Sequence, residues 1–420
     1  MMESTDFLRN QIETTFGSGI NNGKDIKLLQ QQLEEKTQAY IGYNTLRRFF
    51  GLLPRTKPNQ STLDILSKYV GFQDFYDFTH QKRYSDLETT LKLARIKNSN
   101  LISKNDTYFI HSLIASEQFT SYFNSMAEYF LHCKNVKCLH QLFTSKIKNI
   151  ECYQQLQICV HIGTLLRNYY LNDLAFLTQV VQNDCFREVV LYNFVDYDYF
   201  NHGYIKLIKT SISIEKNRNH LLFLHLILSH NNFLTKCESN NKMLPFNLKG
   251  YKSVHPIVKG RFQLSKLTLI NENKIQTKIF QKILKLAKTD NKAEFYFELI
   301  PGLILLRRVD LLRKILGQHH VSLFEVNDYN RFTHLAIFQI ALCLVYIDEE
   351  SWPKAKTQFS QININQVFIS YDSYIKLFYL IADYHLNTTK KNEVLEEYMN
   401  ISKATKFQLF SKDFLMNYFA

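Results

Sequence analysis

Residues 39–78 read AYIGYNTLRRFFGLLPRTKPNQSTLDILSKYVGFQDFYDF, and this stretch decides the fold class that we expect. Its apolar residues recur at intervals of three and four, which predicts a short helix at Tyr43–Phe50 and a second one at Ser61–Val70. A loop closed by Pro58 joins the two helices, and Gly71 ends the second. The stretch therefore predicts a pair of short amphipathic helices.

The same stretch carries unbalanced positive charge. No Asp or Glu occurs between residues 36 and 63, whereas this segment contains the cations Lys36, Arg47, Arg48, Arg55 and Lys57. Asn44, Arg47 and Arg48 project from one helix face, and Leu46 lies on the other. Arg and Asn can make bidentate contacts with guanine and adenine edges, and cations bind phosphates. The pattern favours a nucleic-acid-binding surface, and a helical bundle with solvated arginines is the alternative.

Over residues 5–80, about a fifth of the chain, this pattern resembles the lambda-repressor-like helix-turn-helix family of the Cro and xenobiotic-response-element type. Members have five short helices, and the third enters the DNA major groove. The resemblance places the five helices at Phe7–Phe16, Asp25–Thr37, Tyr43–Phe50, Ser61–Val70 and Asp74–Thr79. It implies contacts with double-stranded DNA from the third helix and the loop after it, at Tyr43, Asn44, Thr45, Arg47, Arg48, Arg55 and Lys57.

This sequence departs from the family pattern before the third helix. The second helix is longer than the family's, and the loop at residues 17–23 is rich in Gly and Asn. For this reason the family's phosphate contacts from the second helix are not carried over to this chain.

Composition indicates long helices throughout the remaining residues. The chain has 420 residues, of which 45% are hydrophobic, but it has 12 Gly and 6 Pro for making turns. Apolar residues at helical spacing predict helices beyond residue 106, among them Tyr153–Tyr170, His220–Leu234, Ala293–Leu306, Thr333–Ile347 and Tyr374–Leu386. We therefore expect an all-α protein.

A weak internal repeat refines this expectation. Small residues lie in the middle of predicted helices at Ala127, Gly163, Gly302, Ala341 and Ala382, where they let a neighbouring helix approach. A unit of about 35 to 45 residues with two helices is typical of an α-solenoid. The expected domains are a helix-turn-helix domain at 1–80, a linker helix at 81–105 and a degenerate tetratricopeptide-like array at 106–420. An irregular helical bundle is the alternative to the array.

Positive charge is also concentrated in residues 206–292, whose net formal charge of +13 equals that of the whole chain. Lys274, Lys278, Lys282 and Lys285 follow one face of a predicted helix, and Ile275 and others follow another. These lysines are a possible polyanion-binding surface, although most such stripes are solvated helix faces. Within this window, residues 245–269 predict a β-hairpin or an extended loop.

The sequence contains little that indicates chemistry. His132, Cys133, Cys138 and His140 could supply four zinc ligands, but no second half-site follows them at the usual spacing. No nucleotide-binding loop, nucleophile elbow or metalloprotease motif is present. His161, His225 and His334 lie on apolar faces, where core histidines are common. We expect no enzyme activity, no cofactor and no metal site.

The chain begins without a signal-peptide pattern, and its apolar stretches are too short or interrupted to span a membrane. Seven cysteines in mostly apolar helical patterns are typical of reduced core thiols. Both observations predict a cytoplasmic protein.

The domain order resembles that of bacterial regulators of the Rgg, PlcR and PrgX type, in layout but not in sequence beyond residue 78. The resemblance implies a homodimeric transcriptional regulator whose helical repeats bind a peptide or protein ligand in a groove. The alternative function is a non-enzymatic α-solenoid scaffold whose N-terminal bundle docks a protein partner.

Overall fold

The computed structural model describes residues 2–236, 254–270, 272–286, 292–324 and 331–420. The regular secondary structure of these residues is helical, and none of them forms a strand, so the all-α prediction is confirmed. Contacts divide the chain into two compact units, residues 1–99 and 100–420.

The first unit consists of five helices around one apolar core. They are α1 (Met2–Phe16), α2 (Gly23–Thr37), α3 (Tyr43–Phe49), α4 (Gln60–Tyr69) and α5 (Phe75–Lys97). Helix α2 packs against α3 and α4, and α4 also packs against α1 and α5. Buried side chains from all five helices form the centre of this core, including Leu8, Leu29, Leu46, Leu66 and Phe78.

Capping residues explain where these helices begin. Asn22 and Asp25 form a capping box at the start of α2, and Asn59 accepts a hydrogen bond from the Thr62 amide at the start of α4. Asp74 caps α5. The fifth helix and the linker helix, predicted to be separate, are one continuous helix, because residues 80–82 contain neither Gly nor Pro to end it.

The second unit contains the remaining helices. They are α6 (Lys104–Ser112), α7 (Phe119–His132), α8 (Val136–Leu142), α9 (Ser145–Lys148), α10 (Cys152–Leu166), α11 (Leu174–Val180), α12 (Asp184–Phe186), α13 (Ile205–Ile214), α14 (Arg218–Leu234), α15 (Pro256–Thr268), α16 (Asn273–Leu286), α17 (Lys292–Leu305), α18 (Val309–Phe324), α19 (Arg331–Asp348), α20 (Trp352–Ser360), α21 (Asp372–Leu386), α22 (Lys391–Thr405) and α23 (Lys412–Met416). Two π-helical turns, Arg187–Leu191 and Phe200–Tyr204, flank the loop at residues 192–199. The predicted helices named above are confirmed to within a few residues at each end.

Glycines let helices of the second unit approach closely. A Cβ atom at Gly302 would lie 2.0 Å from the Leu264 side chain, and one at Gly163 would lie 2.3 Å from the Phe194 ring. At Gly260, which the sequence pattern did not single out, it would lie 2.0 Å from the Phe295 carbonyl oxygen. Helices α15 and α17 therefore pack at a distance that only glycine permits.

Consecutive helix pairs pack in chain order, but residues 197–201 also contact segments near the end of the chain. Helices α17 and α18 are followed by α19 and α20 and then by α21 and α22, and α19 contacts both α17 and α21. The Tyr197 amide donates to the Ser370 carbonyl at 2.9 Å, and Asn201 Nδ2 donates to the Thr405 carbonyl at 3.0 Å. In an open array each repeat contacts only its neighbours, and these long-range contacts do not follow that pattern, so the α-solenoid stays a prediction.

The β-hairpin or extended loop predicted for residues 245–269 is wrong for its second half, which forms α15. Pro256 begins this helix, a position that needs no amide hydrogen, and His255 Nδ1 accepts from the Ile257 amide at 3.4 Å. Residues 245–253 lie outside the described residues.

Helix α19 has the length and apolar composition of a membrane span, and 67% of its apolar stretch is buried inside the protein. Because most of this stretch is buried, α19 is a core helix of the second unit.

Candidate nucleic-acid interface

Helix α3 presents the predicted DNA-contacting residues on one side of the first unit. Its buried face carries Leu46 and Phe49, which are 0% and 2% exposed. On the opposite face Asn44 and Arg48 are exposed, and Arg47 is half-buried beside them. The core therefore fixes the rotation of α3 and leaves its Asn and Arg side chains outward.

Contacts with α2 hold α3 in place. Tyr43 donates its hydroxyl to the Gly23 carbonyl at 3.4 Å, and Gln30 Nε2 donates to the Ile41 carbonyl at 2.7 Å. A larger residue at position 23 would displace the Tyr43 ring from this contact, because a Cβ atom there would lie 2.5 Å from the Tyr43 hydroxyl. The Arg47 guanidinium lies 5.5 Å from the centre of the Tyr43 ring. These contacts with α2, and with the turn that joins the two helices, fix the position of α3.

Arg47 and Arg48 are not neutralised by any carboxylate within the described part of the chain. Arg47 Nη1 donates to Asn44 Oδ1 at 3.5 Å, which aligns the two side chains on one face. Neither arginine takes part in an ion pair among the described residues. Thr45, also predicted to contact DNA, is half-buried on the same helix.

The loop after α3 carries the remaining predicted contacts. Arg55 and Lys57 are exposed. The positive charge of this segment is partly balanced from α1, because Asp6 Oδ1 lies 3.9 Å from Arg55 Nη1 and also pairs with Arg9. Burial and then the charge of Arg55 lower the pKa of Arg9. An exposed ion pair of this kind contributes at most about 1 kcal/mol, so Arg55 remains available to a phosphate.

Two cations that the sequence analysis left out adjoin this face. A shallow depression of about 510 Å³ is lined by Asn22, Gly23, Lys24, Lys27 and Tyr43. Its amides at 24 and 25 already donate to Asn22, so the two lysine side chains are the groups free to meet a phosphate. The sequence does contain a signal for the position of these lysines, because the Asn22–Asp25 capping box fixes the start of α2 next to Tyr43.

The lysine stripe of the second unit is exposed as predicted, on α16. Lys274, Lys278, Lys282 and Lys285 all face outward, while Phe280 and Ile283 on the same helix are buried. One expectation for this window was wrong. Ile275 is 42% exposed, since it lies between Lys274 and Lys278 on the solvent side. Arg261 is 2% exposed, because it pairs with Glu298 inside the unit.

The four zinc-ligand candidates have other partners or positions. His132 Nδ1 lies 3.1 Å from the Tyr169 hydroxyl, and His140 Nε2 lies 3.0 Å from the Gln179 carbonyl oxygen. Cys138 is buried in α8, and Cys133 is exposed. Among the described residues no His, Cys, Asp and Glu side chains cluster as metal ligands do.

The three histidines expected on apolar faces differ in burial. His334 is 1% exposed, and His161 contacts Glu128 at 3.2 Å. Burial lowers the pKa of the half-buried His225.

Comparisons of this chain with protein-family models, with curated proteins and with solved structures found no match.

Proposed function

We propose that this protein is a sequence-specific DNA-binding transcriptional regulator, with α3 as the helix that enters the major groove. The observation that carries the proposal is the outward face of α3. Asn44, Arg47 and Arg48 lie together there without a carboxylate partner among the described residues, and the core holds the helix behind them. These are the side chains that read adenine and guanine edges.

Cations surrounding α3 support the same function. Arg55 and Lys57 follow the helix in sequence, and Lys24 and Lys27 lie beside Tyr43 in the depression at the start of α2. Phosphates on both sides of a groove would be neutralised by such an arrangement, which adds affinity without sequence preference.

The second unit would supply dimerisation and ligand sensing. A single short helix contacts a short half-site, so two copies gain affinity and selectivity for half-site spacing. We therefore propose a homodimer acting in the bacterial cytoplasm, with a helical-repeat region that binds a peptide or other ligand.

An alternative function is a scaffold whose first unit docks a protein. Tyr40 is 67% exposed and Leu28 is 53% exposed on or next to α2, and exposed side chains of this size favour protein contacts. A partner that binds through these residues would be insensitive to substitution of Arg48.

Selection of bound fragments from random duplex DNA tests the proposal, and a recovered palindrome would identify half-site and spacing together. Binding of that fragment is then compared between Arg48→Ala and the control Lys68→Ala, which removes another exposed cation, in the last turn of α4. We expect Arg48→Ala to cost about 1–3 kcal/mol and to relax preference at one base pair. No enrichment from the random pool, or equal effects of the two substitutions, would refute the proposal.

A further inference from the structure

The second unit contains a cavity of about 630 Å³. It lies between α10, the loop after the first π-helical turn, α15 and α17, and its walls include Leu156, Val160, Val195, Val258 and Phe297. Cavities of roughly 300–1,000 Å³ with mostly apolar walls and few polar groups are typical of sites for small organic molecules. The π-helical turn beside it is also a feature that recurs at functional sites.

One buried polar group lines this cavity with hydrogen-bonding capacity to spare. The Arg261 side chain is 2% exposed, and its Nη2 donates to Glu298 Oε1 and to the Tyr197 hydroxyl, the latter at 3.2 Å. Its Nε and Nη1 have no hydrogen-bond partner among the described residues. Buried donors are nearly always satisfied by protein, water or ligand, so these two N–H groups indicate an acceptor within the cavity.

The charge around Arg261 determines which acceptor fits. Burial would lower the pKa of Arg261, but Glu298 together with Tyr197 and Tyr371 outweighs this effect and raises it, so the guanidinium stays charged and is balanced by Glu298. His230, which contacts the Tyr374 hydroxyl, is neutral because burial lowers its pKa to about 4. A second carboxylate would add uncompensated negative charge to a buried site. A neutral carbonyl oxygen satisfies the free N–H groups without adding charge.

Two other ionisable groups on the cavity wall face each other. His255 Nε2 lies 3.6 Å from Glu294 Oε2 on its wall, and His255 is the more exposed of the two. Tyr371 lies at the Arg261 end and interacts with both Arg261 and Glu298. Glu294 offsets any positive charge on His255, so this pair offers no net positive charge to an anion.

We propose that this cavity binds a neutral, mainly apolar small molecule whose carbonyl oxygen accepts a hydrogen bond from Arg261. The apolar body of the ligand lies along Leu156, Val160 and Val258, and its carbonyl points toward the guanidinium. The site belongs entirely to the second unit, so the proposal stands or falls independently of DNA binding.

Prodan is a suitable probe, because it is a neutral naphthalene ketone whose emission shifts to the blue in apolar surroundings. We expect saturable binding to the full-length protein at one site. The parent dimethylaminonaphthalene, which lacks the ketone, should bind about tenfold more weakly, the loss expected for one hydrogen bond from a charged donor. The naphthalene carboxylate of the same shape should also bind more weakly than prodan.

Two variants locate the site. Leu156→Trp fills the cavity and should abolish prodan binding, whereas Leu171→Trp, the same change at an exposed position outside the cavity, should leave it intact. The double variant R261M/E298L removes the donors and their counter-charge together. Prodan should bind this variant no more tightly than the ketone-free compound does.

Cysteine reactivity in the unchanged protein gives a test that requires no variant to fold. Cys152 is exposed and lines the cavity, while Cys133 is exposed elsewhere on the same unit. Bound prodan should slow alkylation of Cys152 and leave Cys133 unaffected, as measured by peptide mass spectrometry. The proposal is overturned by unsaturable binding, by equal affinity of the ketone-free compound, by tighter binding of the carboxylate or by equal protection of both cysteines.

Discussion

Replacing Glu298 by leucine should strongly destabilise the second unit. Arg261 and Glu298 are both 2% exposed, so the substitution leaves a buried guanidinium without its carboxylate, which costs about 3–5 kcal/mol. Tyr197 also loses its acceptor, since its hydroxyl donates to Glu298 Oε2 at 2.8 Å, and this adds about 1 kcal/mol. The expected loss in the free energy of unfolding is therefore about 4–6 kcal/mol, close to the whole stability of many domains.

The matched variant removes both charges. In R261M/E298L the guanidinium and the carboxylate are replaced by apolar side chains of similar length, and the remaining cost is the unpaired Tyr197 hydroxyl. We expect this variant to lie within about 2 kcal/mol of the unchanged protein. The single variant should thus be less stable than the double variant, although it differs from the native sequence at one position fewer.

Equilibrium unfolding in urea measures both values. Trp352, the single tryptophan, lies in α20, so its fluorescence reports on the second unit. Circular dichroism of the same samples reports on the chain as a whole. A loss below about 1 kcal/mol for Glu298→Leu, or equal stability of single and double variants, would refute the reasoning.

Three further outcomes are expected. Burial raises the pKa of Asp198 to about 7, so the stability that its protonated form provides is present below about pH 4 and is lost as pH rises through about 7. Asp198→Asn should therefore gain stability relative to the native protein as pH increases over this range, measured by urea unfolding. Gly260→Ala should lower the free energy of unfolding by about 1–3 kcal/mol and therefore the melting temperature. Gly317→Ala, with no atom within 4 Å of the new Cβ, should not lower either value. Lys24→Ala with Lys27→Ala should weaken duplex binding on all sequences and reduce its salt slope by about 2.

Each of these outcomes can fail in a recognisable way. His230 has a pKa lowered to about 4 and loses stability as pH falls, but it is present in both proteins of the Asp198 comparison and cancels. An identical pH profile for the two proteins would contradict the assignment to Asp198. Equal melting temperatures for the two glycine variants would contradict the close approach of α15 and α17. A change in base preference in the lysine variant would contradict a phosphate-only role.

Local sequence signals predicted the helices of the first unit well. Periodic apolar residues, with Pro58 and Gly71 as helix limits, placed α3 and α4 within a residue at each end, because both signals act between near neighbours in the chain. The exposure of Asn44 and Arg48 followed from the same periodicity. Their binding partner remains a prediction.

Long-range contacts could not be predicted in this way. Asp6 reaches Arg55 across 49 positions of sequence, and nothing near Arg55 indicates this partner. Arg261 is one of the cations in the +13 net charge of residues 206–292, and a count of charges contains no information on its burial. The carboxylate that pairs with Arg261 belongs to Glu298 on another helix, α17. Helix α15 was not predicted, because its segment contains Gly and Pro in a pattern that is typical of loops.

The buried charge pair affects when the second unit can fold during synthesis of the chain. Arg261 precedes Glu298 by 37 positions, and Tyr374, which contacts His230, comes 144 positions after that histidine. At roughly 5–20 residues per second, a ribosome exposes the guanidinium for seconds before its counter-charge emerges. Nascent chains that end ahead of Glu298 cannot close this interior, so the second unit is expected to fold late and to rely on chaperones until then.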